Sequence, residues 1–249
     1  HNRVEGVVSY TNLLFIPSMR PLDLFHPDRT GQVKLYVKRV FITDNCEGLL
    51  PPYLRFVKGV VDSEDLALNV SREMMQHNPA KISQGLTKRI FGELKKSAEK
   101  KPEDYVTFWE TFGPVLKEGL YEDGDNREKI LELARFKSSE RDGWISLADY
   151  VAAMKDGQDA IFYISGEDPD AALASPQLEG FKAKGVEVLL MTDPVDEFWL
   201  SHVGAFQEKA FKSATRGGAD LAKIAKAKDA EKDTAEDDAD KGDDKTATP

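Results

Sequence analysis

An arginine and a glutamine four residues apart could do the most specific chemistry in this chain. Arg72 and Gln76 follow a predicted apolar strand over 56–61. Asn69 and Ser71 are residue types that begin helices, so a helical turn starting there would project Arg72 and Gln76 from one face. A guanidinium near a helix N-terminus can donate two parallel hydrogen bonds to a phosphate. This spacing indicates a phosphate-facing site.

The same arginine has a simpler interpretation. Surface arginines commonly pair with nearby carboxylates, and Arg72 has Glu73 beside it and Asp65 shortly before it in the sequence. Spacing alone therefore leaves two interpretations open, a phosphate contact and a solvated ion pair.

Other site chemistries have little support in the sequence. It contains neither a Walker-type phosphate loop nor a G-x-G-x-x-G motif after a strand. The histidines and the single cysteine lack the spacing of a metal site, so we interpret each histidine as a surface or packing residue. These residues are His1, His26, His77, His202 and Cys46. The sequence therefore predicts no metal site.

Composition predicts a soluble, intracellular protein segment. The chain has 249 residues, of which 41% are hydrophobic, and a formal net charge of −10. One cysteine provides no disulfide framework, which favours a reducing compartment. The negative charge argues against broad nucleic-acid affinity, and no apolar stretch reaches the roughly 18 residues of a membrane span. The first residue, His1, is not an initiator methionine, which indicates an excised piece of a longer protein.

Hydrophobic periodicity predicts alternating strands and helices. The first half contains strands over 7–16 and 32–43, a strand or short helix–strand element over 53–61, and a long amphipathic helix over 79–101. Gly113-Pro114 should break the next helix, which predicts three short helices over 102–112, 115–121 and 127–136. The second half predicts helices over 146–154, 176–184 and 195–206 with strands over 160–165 and 186–191, an order that favours parallel pairing.

We therefore predict an α/β protein of two three-layer α/β units joined by a short helical connector. The predicted parts are a large α/β unit over 1–101 that carries the Arg72 loop, a helical connector over 102–137, and a small α/β unit over 138–215. Apolar residues nearly vanish after Arg216, so 216–249 is expected to be a charged, disordered linker or tail.

Several longer motifs resemble the middle segment of the heat-shock protein 90 chaperone family, in its bacterial HtpG form. The resemblance covers roughly residues 4 to 212 and departs from the family at Ala67, where proline is usual, and at Met19-Arg20, where Arg-Ala is usual. The motifs are Leu14-Phe15-Ile16-Pro17, Asp23-Leu24-Phe25, residues 34–42, residues 59–76, Phe108-Trp109, Lys117-Glu118-Gly119, residues 146–151, residues 161–166 and Asp196-Glu197.

This resemblance implies the middle domain of a dimeric, cytoplasmic, ATP-dependent molecular chaperone that acts in protein folding and the stress response. In that family a separate N-terminal domain binds ATP and Mg²⁺, and the middle segment supplies an arginine to the γ-phosphate. Arg72 is the matching position, with Gln76 beside it. A C-terminal dimerisation domain and unfolded clients are the other implied partners. This chain alone is expected to hold no cofactor and to be inactive.

A second candidate site lies in Glu197-Phe198-Trp199. Helical spacing with Val195, His202 and Phe206 favours an ordinary core stripe, but Leu200 falls outside that stripe and would leave apolar surface outward. The resemblance places a client-contacting surface near this segment, with Glu197 and Phe198 as matching positions. We therefore expect Glu197, Phe198 and Trp199 to contact clients.

Two other functions remain open. The chain could be a non-catalytic scaffold that binds clients or co-chaperones, or a free-standing phosphate-ester enzyme that uses Arg72. The missing phosphate loop and metal spacing disfavour the enzyme. Neither a nucleic acid nor a membrane is an expected partner.

Overall fold

The structure, a computed structural model, describes residues 1–5, 8–26, 32–66 and 79–224. The chain divides into a first compact unit from His1 to Arg135 and a second unit that begins at Phe136. Each unit contains one sheet with helices, which confirms the predicted α/β class. The predicted connector lies within the first unit except for its last two residues, while the other predicted domain boundaries stay predictions.

The first unit is built on a five-stranded sheet with the order β1-β2-β5-β3-β4. Strand β5 lies in the centre, antiparallel to β2 and parallel to β3. The described elements are β1 (Asn2–Val4), β2 (Tyr10–Phe15), β3 (Gln32–Val37), β4 (Val40–Thr43), a 3-10 turn (Pro52–Leu54), β5 (Lys58–Ser63), α1 (Pro79–Lys100), α2 (Pro102–Glu122) and α3 (Arg127–Leu133).

One face of this sheet packs against α1. Tyr10, Leu35 and Val61 point to the same face from three strands, because alternate residues of a strand share a face. They form a buried cluster with Ile82 and Leu86, which are one helical turn apart on α1. The predicted amphipathic helix over 79–101 is therefore confirmed.

The opposite face of the same sheet stays open among the described residues. Leu13 and Phe15 alternate with the buried positions of β2 and are 51% and 54% exposed. Val60 lies beside Leu13 in the register of β2 and β5 and is also exposed. In the part of the chain that the structure describes, helices thus cover one face of this sheet.

Helix α2 continues through the predicted break at Gly113-Pro114, so the prediction of two separate helices there was wrong. An interior proline removes one backbone hydrogen bond and costs about 3 kcal/mol. Tyr105, Trp109 and Phe112 on this helix are fully buried, and their burial offsets that cost. Gly113 also lets the Trp109 ring approach closely, since a Cβ there would lie 2.7 Å from a ring carbon.

The single strand predicted over 32–43 is two strands joined by a tight turn. Lys38 and Arg39 adopt positive φ values of 51° and 67° and reverse the chain between β3 and β4. The Asp62 carboxylate stabilises the turn by accepting a hydrogen bond of 3.1 Å from the Arg39 backbone N–H. Such turns usually contain Asn-Gly or Asp-Gly, so Lys38-Arg39 carries no local pattern that would predict a hairpin turn.

The second unit contains a six-stranded sheet with the order β10-β11-β8-β9-β6-β7. Strand β8 is parallel to β9 and β11, which confirms the predicted parallel pairing. The elements are β6 (Arg135–Ser138), β7 (Ile145–Ser146), α4 (Leu147–Ala152), β8 (Ala160–Ser165), α5 (Pro169–Leu173), a 3-10 turn (Pro176–Leu178), α6 (Glu179–Lys184), β9 (Leu189–Met191), α7 (Asp196–Leu200), β10 (Ala205–Phe206), β11 (Lys209–Ser213) and α8 (Gly218–Lys223).

Strand β8 is the buried centre of the second unit. The successive residues Ala160, Ile161 and Phe162 are all fully buried, so both faces of this strand are covered. The helix predicted over 195–206 is wrong beyond Leu200, because the chain turns there into the short strands β10 and β11. Two-residue strands carry too little periodicity to be read from a sequence.

Residues 216–224 of the predicted charged tail belong to the second unit. Helix α8 lies in this stretch, and Ile224 is only 2% exposed in the second core, with Leu221 packed against the same cluster. Lys184 Nζ donates hydrogen bonds to the backbone carbonyls of Leu221 and Ile224. Residues 225–249 lie outside the described residues.

We predict that truncations before and after the segment 218–224 have very different effects on the melting temperature. Removing 225–249 should change the melting temperature by no more than about 1–2 °C, because apart from the terminal proline this stretch has no aliphatic or aromatic side chain larger than alanine. Removing 218–249 should lower it by about 5 °C or more, because Leu221 and Ile224 leave the core. Thermal unfolding of both truncated proteins beside the full chain tests this, and equal melting temperatures would contradict it.

Candidate functional site

Arg72 and Gln76 belong to residues 67–78, named the Arg72 segment below, and lie outside the described residues. The structure describes the chain on both sides of this segment. The central strand β5 and Leu66 precede it, and helix α1 follows it from Pro79. The phosphate contact of Arg72 stays a prediction, and the described neighbours indicate how its segment is anchored.

Three hydrogen bonds hold the chain before the Arg72 segment. The Ser63 hydroxyl donates to the backbone carbonyl of Ser9 at 3.2 Å, and the Ser9 backbone N–H donates to the Asp65 carboxylate at 2.7 Å. The Glu64 backbone N–H also donates to the Ser9 carbonyl. The bond from Ser9 holds the pKa of Asp65 below its usual value. With Leu66 buried in the first core, the entry to the segment is fixed.

The residues after the Arg72 segment are anchored by packing. Ile82 and Leu86 of α1 are fully buried against the sheet, and Thr87 is buried beside them. Helix α1 has 22 residues, and because helix formation is cooperative, the packed turns stabilise the first turns next to the Arg72 segment. Both ends of the Arg72 segment are therefore attached to the rigid core of the first unit.

Arg55 organises the region around β5 and is a residue that sequence reasoning missed. Its guanidinium makes a bidentate contact with Glu118 on α2, with one N–O distance of 2.8 Å. Its Nε donates to the backbone carbonyl of Leu24 at 2.7 Å, and the guanidinium lies 6.0 Å from the centre of the Phe25 ring. No local pattern could reveal this pair, because 63 residues separate its members.

In the second unit, helix α7 presents the predicted client-contacting residues. Its first residue, Asp196, is buried and accepts a hydrogen bond of 2.7 Å from the indole N–H of Trp199. The same carboxylate accepts a bond of 3.1 Å from the backbone N–H of Asp193. Asp196 therefore fixes both the start of α7 and the orientation of Trp199. A D-x-x-W spacing is the sequence signal for this contact.

The prediction that Trp199 belongs to the client-contacting surface was wrong. Its side chain is 0% exposed, and its ring packs edge-on against Phe211 at 5.5 Å and beside Phe136 at 6.1 Å. A side chain with no accessible surface cannot touch a client in this conformation. Trp199 instead holds α7 on the second core.

The neighbouring positions Glu197 and Phe198 face outward. Phe198 is 63% exposed, and Glu197 is exposed beside it. The expected stripe with Val195, His202 and Phe206 does not form, because α7 ends at Leu200. The outward apolar residue is therefore Phe198, next to an acidic side chain.

The described residues offer little for metal or thiol chemistry. Among them, no group of three or more His, Cys, Asp or Glu side chains could hold a metal ion. Burial raises the pKa of the Cys46 thiol to about 11, so the thiol is protonated at neutral pH and is a poor nucleophile. No helix in this part of the chain is long and apolar enough to cross a membrane.

Comparison with known proteins identifies consistent relatives. The family model described as Hsp90 protein matches residues 1–242. The chain is 65% identical over 226 residues to the chaperone protein HtpG of Paramagnetospirillum magneticum, covering 90% of this chain and 36% of that protein. It is 58% identical over 238 residues to HtpG of Roseobacter denitrificans, covering 94% and 38%. The chain thus spans less than two-fifths of these curated relatives.

A solved structure supports the same relationship. The chain is similar to the middle domain of a Plasmodium falciparum heat shock protein, with a TM-score of 0.75 and 34% sequence identity. The match covers 87% of this chain and 86% of the solved chain. This chain, which spans less than two-fifths of its HtpG relatives, therefore corresponds in extent to a domain that has been solved by itself.

We predict that alanine substitutions at two adjacent aromatic residues of α7 differ strongly in their cost to stability. Trp199→Ala should destabilise the second unit by about 3–5 kcal/mol, because it leaves a cavity and removes the partner of Asp196. Phe198→Ala should change the free energy of unfolding by less than about 0.5 kcal/mol, because this side chain is mostly exposed. Urea unfolding of both variants tests the assignment, which fails if Phe198→Ala costs as much as Trp199→Ala.

Proposed function

We propose that this chain, which belongs to the Hsp90 protein family, is the middle domain of a longer, ATP-dependent molecular chaperone. The observation that carries this proposal is the match of the family model over residues 1–242, together with the similarity to a solved middle domain. We further propose that the full-length protein is a cytoplasmic homodimer that acts in protein folding and the stress response. Its further domains are an N-terminal nucleotide-binding domain and a C-terminal dimerisation domain.

The proposed catalytic role belongs to Arg72. A guanidinium that reaches the γ-phosphate as the domains close can stabilise the charge that develops in the transition state. Gln76, one helical turn later if the segment is helical, would donate a weaker, neutral hydrogen bond. Support comes from the anchored ends of the Arg72 segment, since a catalytic side chain needs a rigid base.

The nucleotide and its Mg²⁺ belong, on this proposal, to the separate N-terminal domain. The described residues of this chain provide no cluster of carboxylates or histidines for a metal ion. The general base is proposed to belong to that N-terminal domain as well. We therefore propose that the isolated chain neither binds nor hydrolyses ATP appreciably.

A client-contacting surface at Glu197 and Phe198 is the second part of the proposal. A mostly exposed phenylalanine gives an unfolded chain an apolar contact, and the adjacent carboxylate can pair with basic client residues. Because Asp196 and Trp199 fix α7, the surface is formed before the client arrives.

A non-catalytic scaffold for clients or co-chaperones is the alternative function. The exposed side chains of Leu13, Phe15 and Val60 on the open sheet face favour it, because a contiguous apolar surface suits protein binding. The two functions differ in what they predict for Arg72.

For Arg72→Ala in the full-length protein, we predict at least about a 10-fold loss of ATP turnover with nearly unchanged nucleotide affinity. A charge-assisted contact made mainly in the transition state contributes roughly 1.5–3 kcal/mol. Arg72→Lys should rescue turnover only in part, because an ammonium lacks the planar fork. Gln76→Ala should act in the same direction but more weakly. Steady-state ATPase rates and nucleotide dissociation constants measure these effects.

The control is Arg216→Ala, which removes the same charge from an exposed position of the second unit and should leave turnover unchanged. The scaffold alternative predicts unchanged turnover for all three variants of Arg72 and Gln76. That outcome would remove the catalytic role.

For client binding, we predict that Phe198→Ser in the full-length protein weakens binding of reduced, carboxymethylated α-lactalbumin by about 10-fold. Burial of a large apolar side chain contributes roughly 1.5–3 kcal/mol. Tyr121→Ser replaces another partly exposed aromatic residue, in the first unit, and serves as the control. Equal dissociation constants for Phe198→Ser and wild type, measured by fluorescence anisotropy, would contradict the proposed surface.

A further inference from the structure

A groove of about 590 Å³ lies in the first unit between the sheet and the two long helices. Leu14 forms one wall, Ile90 and Leu94 of α1 form another, and Phe108 and Phe112 of α2 form a third. Its volume lies within the range of small-ligand and peptide side-chain sites, and apolar walls are typical of such sites. The proposed roles of Arg72, Glu197 and Phe198 make no use of this groove.

One polar side chain in the groove has an unusual environment. Asn12 of β2 lines the groove and is only 4% exposed. Its amide Nδ2 is the one buried side-chain nitrogen or oxygen atom that has no hydrogen-bond partner among the residues that the structure describes. Native proteins pair more than about 90% of their buried polar groups, and an unpaired buried donor is destabilising.

Asn12 lies in the middle of the sheet face that the helices cover. It alternates with Tyr10 and Leu14 on the helix-covered face of β2, and its cross-strand neighbours are Asn2 and Val61. Polar side chains such as Asn2, Ser97 and Thr111 also line the groove, but none of the described residues accepts a hydrogen bond from the Asn12 amide. An occupant that brings an acceptor into the groove would satisfy this donor.

We propose that this groove binds an apolar segment of an unfolded client peptide, whose backbone carbonyl accepts a hydrogen bond from Asn12. A peptide matches both features, because it offers a carbonyl at every residue and apolar side chains for the walls. This inference rests on the proposed chaperone function and names a client-binding site separate from Glu197 and Phe198.

The charged side chains at the mouth of the groove influence whether it binds neutral or charged peptides. Arg89 and Glu93 line the groove and form an ion pair of 3.1 Å, and Asp104, which also lines it, pairs with Lys101 at 3.5 Å, so each of these charges has a partner of opposite sign. A charged peptide would have to compete with these pairs, whereas a neutral segment leaves them intact. The groove therefore favours neutral, apolar client segments over acidic or basic ones.

The test measures binding of a defined peptide to the full-length protein. The probe is a fluorescein-labelled, terminally capped peptide with a central Leu-Phe-Leu segment between Gly-Ser pairs, and its control has serine at the three apolar positions. Fluorescence anisotropy should show binding of the first peptide and at least about 10-fold weaker binding of the second.

Two groove variants locate the site. Asn12→Leu, which removes the amide donor at similar size, should weaken binding of the apolar peptide by about 2- to 12-fold. The same change should leave the melting temperature of the peptide-free protein unchanged or raised, because it removes an unpaired buried donor. Thr107→Trp, at an exposed groove position of α2, should block binding by filling the groove.

Two further variants serve as controls. Glu99→Trp places the same bulky side chain on an exposed position of α1 that does not line the groove, and it should bind the peptide as wild type does. Tyr121→Ser, which replaces a partly exposed aromatic residue outside the groove, should also leave the peptide affinity unchanged. If the groove variants bind normally while Phe198→Ser loses the peptide, this inference fails and the proposed client surface stands.

Other outcomes also decide the matter. Peptide binding by this chain but not by the full-length protein would overturn the inference, because the groove would then be occupied by another part of the same protein. If the peptide binds neither protein while carboxymethylated α-lactalbumin still responds to Phe198→Ser, only the groove proposal fails. If neither client binds at all, the proposed client-binding function fails with it.

Discussion

A nearly buried ion pair between Arg55 and Glu118 ties together distant parts of the first unit. Through one guanidinium, the residues before β5, the loop at Leu24 and helix α2 are held in fixed positions. Two charges removed from water are costly unless every hydrogen bond is made, and losing one partner typically costs about 3–5 kcal/mol. Arg55 meets this condition by donating to a carboxylate and to backbone carbonyls at once. The rigidity of the first unit around β5 depends on this pair.

The two units use burial in different ways for the proposed functions. In the first unit, buried strands and helices anchor both ends of the Arg72 segment, which gives the proposed catalytic contact a rigid base. In the second unit, burial of Trp199 forces its neighbour Phe198 outward, because adjacent residues of a helix point about 100° apart. A single buried hydrogen bond to Asp196 thus sets the exposure of the proposed client-contacting residue.

Local patterns predicted the elements with strong periodicity. Helix α1 and strand β8 agree closely with the ranges predicted for them, and the parallel pairing of β8 followed from the alternation of strands and helices. Elements without such a pattern were missed. The β3–β4 turn uses Lys38 and Arg39 instead of glycine, and β10 has only two residues. These depend on neighbouring strands, which a single-sequence pattern does not contain.

The sequence by itself determined the α/β class, the family resemblance and the identity of the candidate residues. Motif order and residue type are enough for that, because the roles proposed for Arg72 and Phe198 require those side chains wherever they lie. Only the tertiary structure decided that Trp199 is buried, that α2 continues through Pro114, and that the Asn12 amide has no partner among the described residues. Each of these depends on contacts between residues distant in sequence, and the free energy of such contacts overrides local propensity.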